Sequence, residues 1–151
     1  DMEELGLSLV DELGMMLRKL MRSARNQTLP VDALIRNSVE LFVAYVSEHR
    51  NIFMFMAQCR TGGTLALRNA IRSELGYFAS ELTTDIRQLS LLPNIDTKDL
   101  ETFAMLVITA VADTTVEILD LPEKSLQQLE LIEQTVKQLR LIFLGATLWK
   151  S

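Results

Sequence analysis

Three arginines surround a pair of adjacent glycines near the middle of this 151-residue chain. Arg60 stands two residues before Gly62, and Arg68 and Arg72 follow one helical turn apart, on one face of a predicted helix. The planar guanidinium group suits phosphate, so these residues are candidates for holding an anionic ligand headgroup. The alternative is a solvated face that pairs with nearby acidic side chains, and it stays open. The glycine pair lacks the spacing of a phosphate-binding loop.

Aromatic and methionine side chains offer a second kind of candidate site, an apolar pocket. The chain has seven methionines, and the flexible thioether side chain adapts to elongated apolar ligands. Apolar residues at helical spacing usually form a packed core, which is the alternative interpretation. The candidate pocket residues are Phe42, Val46, Phe53, Met54, Met56, Phe78, Met105 and Ile108.

Catalytic and metal-binding arrangements are poorly represented. Asp113 and Glu117 are one helical turn apart, and paired carboxylates can transfer protons or bind a metal ion. A metal site needs further ligands, but the single histidine, His49, and the single cysteine, Cys59, are distant in sequence. We expect no catalytic set, no metal and no cofactor, and therefore no enzyme.

Composition limits the remaining classes of function. The chain is 48% apolar and 23% charged, and its formal net charge of −5 disfavours direct binding of nucleic acid. A single cysteine fits a reducing compartment, so we expect a cytoplasmic location. The continuous apolar run from Phe103 to Ala112 is too short to span a bilayer, which needs about 20 residues. Residues 1–151 are long enough for one domain with a real core.

Apolar spacing predicts an all-α fold of six helices, with no segment that alternates like a strand. Residues 26–30 break the first helix, and Asp32, Thr64 and Asp96 or Thr97 are candidate N-caps. The predicted helices cover 1–25, 32–48, 52–57, about 64–89, 98–120 and 123–149.

The last two helices are the candidate dimer interface. Residues 103–112 are apolar on every side, and a helix of this kind must be covered on more than one face. The last helix has apolar residues at alternating spacings of three and four, as in a coiled-coil seam. We expect a homodimer in which two helices from each subunit form a four-helix bundle. The candidate interface residues are Val111, Val116, Leu119, Leu129, Ile132, Val136, Leu139 and Phe143; a charge at Ile132 or Val136 should give a monomer.

Several segments resemble the C-terminal ligand-binding domain of TetR-family transcriptional repressors, in particular those that regulate unsaturated fatty-acid synthesis. The segments are Asp1–Arg25, Phe53, Arg60-Thr-Gly-Gly-Thr64, Ala66–Leu75 and the ending Gln138–Trp149. The order of elements also fits this family: a long first helix, a group of shorter helices, and a closing pair that dimerises. The resemblance covers nearly the whole chain.

The resemblance implies that one domain binds DNA and another binds the effector. In that family a helix-turn-helix domain precedes the helix that starts near Asp1, so we expect these residues to be part of a longer protein. Operator DNA would be bound only through that N-terminal domain. The implied effector is a long-chain acyl thioester, either acyl-CoA or acyl carrier protein, and no membrane is involved. The alternative is a non-regulatory helical module that carries lipid or serves as a scaffold.

Overall fold

The computed structural model describes residues 1–25 and 29–151, and these residues form six helices and no strand. The predicted all-α fold with six helices is confirmed. The helices are α1 (Met2–Arg25), α2 (Val31–Glu48), α3 (Arg50–Gly62), α4 (Leu65–Gln88), α5 (Thr97–Asp120) and α6 (Leu126–Thr147). The predicted break at residues 26–30 lies partly outside the described residues, which omit 26–28.

Two predicted helix caps are confirmed. The Thr64 hydroxyl accepts a hydrogen bond from the Leu67 N–H at 3.2 Å, and the Asp96 carboxylate accepts one from the Asp99 N–H at 2.8 Å. Each bond satisfies one of the backbone donors that the first turn of a helix leaves free. The starts of α4 and α5 were therefore readable from the sequence.

Three other predicted boundaries were wrong. Asp32 lies within the first turn of α2, which Pro30 precedes without any side-chain cap. The last helix starts at Leu126, because Ser125 accepts a hydrogen bond from the Gln128 N–H and the residues before it form a turn. The third helix runs for 13 residues rather than the six predicted.

The end of α3 shows why a glycine stands at position 63. The backbone there has φ −79°, so no left-handed conformation is involved. A Cβ atom at Gly63 would lie 2.9 Å from the Cα and the carbonyl oxygen of Cys59. Close approach of two backbone segments, rather than an unusual dihedral angle, excludes a side chain at this corner.

Helix α1 lies parallel to α4 and is fastened to it by ion pairs. Gly14 leaves room for the Glu74 carboxylate, which a Cβ atom at that position would approach to 2.1 Å. Three arginines of α1 face three acids of α4 in the same order along both helices. The pairs are Arg18–Glu74 at 3.6 Å, Arg22–Glu81 at 2.5 Å and Arg25–Asp85 at 2.6 Å. We call this set the α1–α4 ladder.

Helices α4 and α5 run antiparallel, and the loop between them is short. Ala79, Leu82 and Ile86 near the end of α4 share one apolar cluster with Leu100 and Phe103 near the start of α5. The main core cluster draws on all six helices, and its most deeply buried members are Val46 and Ile118. The second half of α5 is therefore next to the first half of α4.

Candidate ligand cavity

An apolar cavity of about 460 Å³ lies within the helical bundle. Twenty-five of the 32 described residues that line it are apolar. Binding sites for small molecules usually have volumes of about 300–1,000 Å³ and mostly apolar walls. The size and lining of this cavity therefore match those of a ligand site.

The residues that line the cavity extend along two long antiparallel helices, α4 and α5, and α2 and α3 complete its walls. Helix α4 contributes apolar residues from Ile71 to Ile86, a separation of about 22 Å at 1.5 Å per residue. Helix α5 contributes apolar residues from Phe103 to Val116, and α1 and α6 also reach the cavity. The apolar residues that these last two helices contribute are Leu17, Met21, Leu139 and Phe143.

The free-energy cost of an empty cavity argues against a simple packing defect. Dry cavity volume costs roughly 24 cal/mol per Å³, so an empty space of this size would cost on the order of 10 kcal/mol. Natural domains have total stabilities of only about 5–15 kcal/mol. A closed and empty space of this size is therefore excluded, and this partly open cavity is accessible to water or to a ligand that fits the apolar walls.

The structure brings five of the eight candidate pocket residues to the cavity. Phe42, Phe53, Met56, Phe78 and Ile108 line it, and Phe42 and Phe53 meet edge to face with ring centroids 6.2 Å apart. The other three lie elsewhere. Val46 is fully buried in the core, while Met54 and Met105 are about two-fifths exposed, at 42% and 40%.

One end of the cavity contains a buried ion pair between α1 and α4. Arg25 Nε donates to Asp85 Oδ2 at 2.6 Å, and only 12% and 10% of the two side chains are exposed. Removal of one partner from a buried pair typically costs about 3–5 kcal/mol, because the other charge stays buried without compensation. We call this the Arg25 end, and its ion pair is held firmly.

The opposite end contains a more exposed ion pair between α3 and α5. Arg60 Nη1 donates to Asp113 Oδ1 at 2.7 Å, with side-chain exposures of 33% and 64%. Exposed pairs typically contribute about 0–1 kcal/mol, so this pair can exchange partners at little cost. Thr61 and Val116 are exposed beside it and also line the cavity. We call this the Arg60 end.

Arg68 and Arg72 are not part of the cavity lining. Arg68 donates to the carbonyl oxygen of Gly63 and so closes the corner between α3 and α4. Arg72 donates to Asn69 Oδ1 at 2.9 Å on the surface of α4. Of the three arginines that the sequence singled out, only Arg60 lies against the cavity.

The regular apolar face of α6 packs inward, not outward. Ile132, Val136 and Leu139 are at most 9% exposed and belong to the subunit's own core, together with Leu119 of α5. Phe143 and Val111 line the cavity. Only Leu129 and Val116, which are 54% and 52% exposed, are open to a partner. The predicted seam is therefore largely an intramolecular one.

A different set of apolar residues faces outward on α5 and α6. Met105, Leu106 and Val116 of α5 are exposed, as are Leu141, Leu144 and Leu148 of α6. Helix α5 is 24 residues long, and by length and composition alone it would be apolar enough to cross a membrane. This differs from the expectation drawn from its ten-residue apolar run. We call these six outward residues the α5–α6 face.

The candidate catalytic residues do not come together. Cys59 is buried, and burial raises the pKa of its thiol, which opposes the reactive thiolate form. His49 stacks on Tyr45 with ring centroids 4.2 Å apart, and its Nδ1 lies 2.9 Å from the Tyr45 carbonyl oxygen. Asp113 is paired with Arg60, while Glu117 is exposed. Within residues 1–25 and 29–151, no group of three acidic, histidine or cysteine side chains could hold a metal ion.

In comparison with known families, residues 31–145 match the family described as tetracyclin repressor-like, C-terminal domain. The matched range contains α2 to α5 and nearly all of α6. It therefore includes both cavity walls, the Arg60 end and the α5–α6 face.

Proposed function

Because the chain belongs to the family of TetR-like C-terminal domains, we propose that it senses a long-chain acyl thioester and thereby regulates genes of unsaturated fatty-acid synthesis. The family itself establishes a ligand-sensing regulatory domain. Such domains commonly dimerise, bind a small-molecule effector and are typically not enzymes, and TetR regulators are soluble. The finer proposal is that the parent protein is a regulator of the FabR or DesT kind.

The observation that carries this proposal is the shape and charge of the cavity. A long acyl chain requires an elongated space with apolar walls, and the cavity follows α4 for about 22 Å. Charged residues lie only at its two ends. The acyl chain would lie between α4 and α5, and its polar headgroup would lie at the exposed Arg60 end.

The α1–α4 ladder offers a route from the ligand to the DNA-reading domain. A ligand in the cavity contacts α4 along about four turns, and α4 holds α1 through Arg18, Arg22 and Arg25. In this family the DNA-reading domain precedes the helix that corresponds to α1. The ligand would act by binding more tightly to one position of α1 than to another, since only a difference in affinity shifts such an equilibrium.

The α5–α6 face would complete the regulator as a homodimer. Its exposed leucines and methionine need covering, and two copies of the face would bury one another in a four-helix bundle. Each subunit would then hold one cavity, with its α1 free to move relative to the partner's α1. Operator DNA would be contacted only by the two N-terminal domains.

Native mass spectrometry of the chain tests the proposal, with palmitoyl-CoA, palmitoleoyl-CoA and free coenzyme A. We expect a dimer that binds one acyl-CoA per subunit and does not bind free coenzyme A at the same concentration. A dimer that binds neither acyl-CoA would exclude acyl-CoA as the effector. A monomer would contradict the proposed α5–α6 interface.

A lipid carrier without regulation would give the same stoichiometry, so a second measurement separates the two functions. A spin label attached at position 4, where the exposed residue Glu4 lies near the start of α1, reports the distance between the α1 helices of the two subunits. A regulator should show a different distance distribution when acyl-CoA is bound. An unchanged distribution with full occupancy would favour the carrier.

A further inference from the structure

We propose that Asp113 sets how strongly the cavity selects anionic headgroups, because Asp113 pairs with Arg60 and must give way before an anionic headgroup can bind there. This inference rests on the proposed function, since it concerns the same cavity. It adds a specificity-determining residue and a chemical class: an apolar chain that ends in an anionic group, with neutral and cationic headgroups disfavoured.

Few of the residues that line the cavity are charged. Among the described residues that line the cavity, four are charged, and they form two ion pairs, one at each end. The Arg25–Asp85 pair is nearly buried, so neither partner can leave without stranding the other. The Arg60–Asp113 pair is exposed, so a headgroup at the Arg60 end can exchange with one of its partners.

Arg60 and Asp113 differ in exposure, and this difference decides which of the two a headgroup replaces. Asp113 is 64% exposed and remains hydrated when it leaves Arg60. Arg60 is only 33% exposed, so its guanidinium group depends more strongly on a bound oxygen atom. A carboxylate or phosphate supplies that oxygen with charge-assisted hydrogen bonds, whereas a hydroxyl supplies a weaker bond. A cationic headgroup would strand Arg60.

Electrostatic repulsion between Asp113 and the headgroup also opposes binding of an anionic ligand. An anionic headgroup beside Arg60 lies close to the displaced Asp113 carboxylate, and two like charges at short range oppose binding. Neutralising Asp113 removes both the competitor and the repulsion. A neutral headgroup competes only weakly with Asp113 for Arg60 and is not repelled by its carboxylate. Neutralisation of Asp113 should therefore change the affinity for anionic ligands more than the affinity for neutral ones.

The test compares tetradecanoate with tetradecanol at pH 8, because these ligands share one chain length and differ in the headgroup. Asp113→Asn should strengthen tetradecanoate binding by roughly three- to tenfold and change tetradecanol binding by less than about twofold. Glu117→Gln is the matched control. Glu117 lies one turn further along α5, is exposed and is not among the described residues that line this cavity, so its neutralisation should leave the ratio of the two affinities unchanged.

Arg60→Gln is a second variant. It should abolish the preference for tetradecanoate over tetradecanol, whereas Asp113→Asn should increase it. Equal ratios for wild type and Asp113→Asn, with both ligands bound, would overturn the role of Asp113 alone. Failure of the wild type to bind either ligand or any acyl-CoA would overturn the proposed function itself. Unfolding midpoints of all variants, measured without ligand, establish that the folded proteins are being compared.

Discussion

Ala57 offers a direct way to fill the cavity with a side chain. It lies on α3, lines the cavity and is only partly buried. Replacing it with phenylalanine places a ring in the space that the ligand is proposed to occupy. The effect on the protein without ligand then depends on whether this space exists in solution.

The two possibilities differ in the sign of the stability change. If the cavity is present, the new ring removes its apolar surface from water without displacing neighbours. Burial of a phenylalanine side chain is worth about 1.5–3 kcal/mol, so Ala57→Phe should stabilise the protein by about 1–2 kcal/mol. If α3, α4 and α5 close on one another instead, overpacking should destabilise it by about 1–3 kcal/mol.

Chemical denaturation at one fixed protein concentration measures this difference, since the stability of a dimer depends on concentration. Ala44→Phe on the exposed side of α2, outside the cavity, is the control and should change stability by less than about 0.5 kcal/mol. Acyl-CoA affinity should fall at least tenfold in Ala57→Phe and remain unchanged in Ala44→Phe. Destabilisation by Ala57→Phe together with unchanged ligand affinity would refute the cavity.

Three further predictions concern the ion pairs and the two faces of α6. Asp85→Asn should lower the free energy of unfolding by about 3 kcal/mol, because Arg25 stays buried without its partner; a loss below about 0.5 kcal/mol in chemical denaturation would contradict this. Burial raises the pKa of the Glu74 carboxyl above 4.5, so the folded state keeps a proton that the unfolded state has lost, and stability should fall as pH rises above about 4.5. Glu74→Gln should lack this decrease in unfolding curves at several pH values, and a decrease of equal size would disprove the assignment. Leu144→Glu should give a folded monomer in sedimentation and Val136→Glu an unfolded chain, whereas a dimeric Leu144→Glu would place the interface elsewhere.

The helices were predictable because their signals are local. Thr64 and Asp96 accept hydrogen bonds from residues three positions later, so their roles depend only on the neighbouring sequence. The adjacent glycines mark the end of α3 in the sequence, although the predicted third helix stopped at residue 57, but the reason for a glycine at position 63 is not local. Gly63 is required by the position of the Cys59 backbone, which is set only when the chain folds.

The cavity and the two faces of α6 depend on three-dimensional packing. The spacing of Ile132, Val136 and Leu139 indicates one apolar helix face but not whether it meets its own subunit or a partner. The contribution of α1 to the cavity was missed for a similar reason, since Leu17 and Met21 look like ordinary core positions of an amphipathic helix. In the sequence, Arg60 and Arg68 are equal candidates for binding a headgroup. The structure distinguishes them, because Arg60 of α3 pairs with Asp113 of α5 whereas Arg68 donates to the Gly63 carbonyl oxygen.

Photocrosslinking tests the central claim most directly, because it locates the bound acyl chain. An acyl-CoA with a diazirine near the end of its chain would be irradiated in complex with the protein, and the labelled residues identified by mass spectrometry. We predict labelling of cavity residues on α4 and α5, such as Phe78, Leu82 and Phe103, with loss of labelling in Ala57→Phe. Labelling confined to the exposed residues Leu141, Leu144 and Leu148 would contradict a ligand site within the bundle.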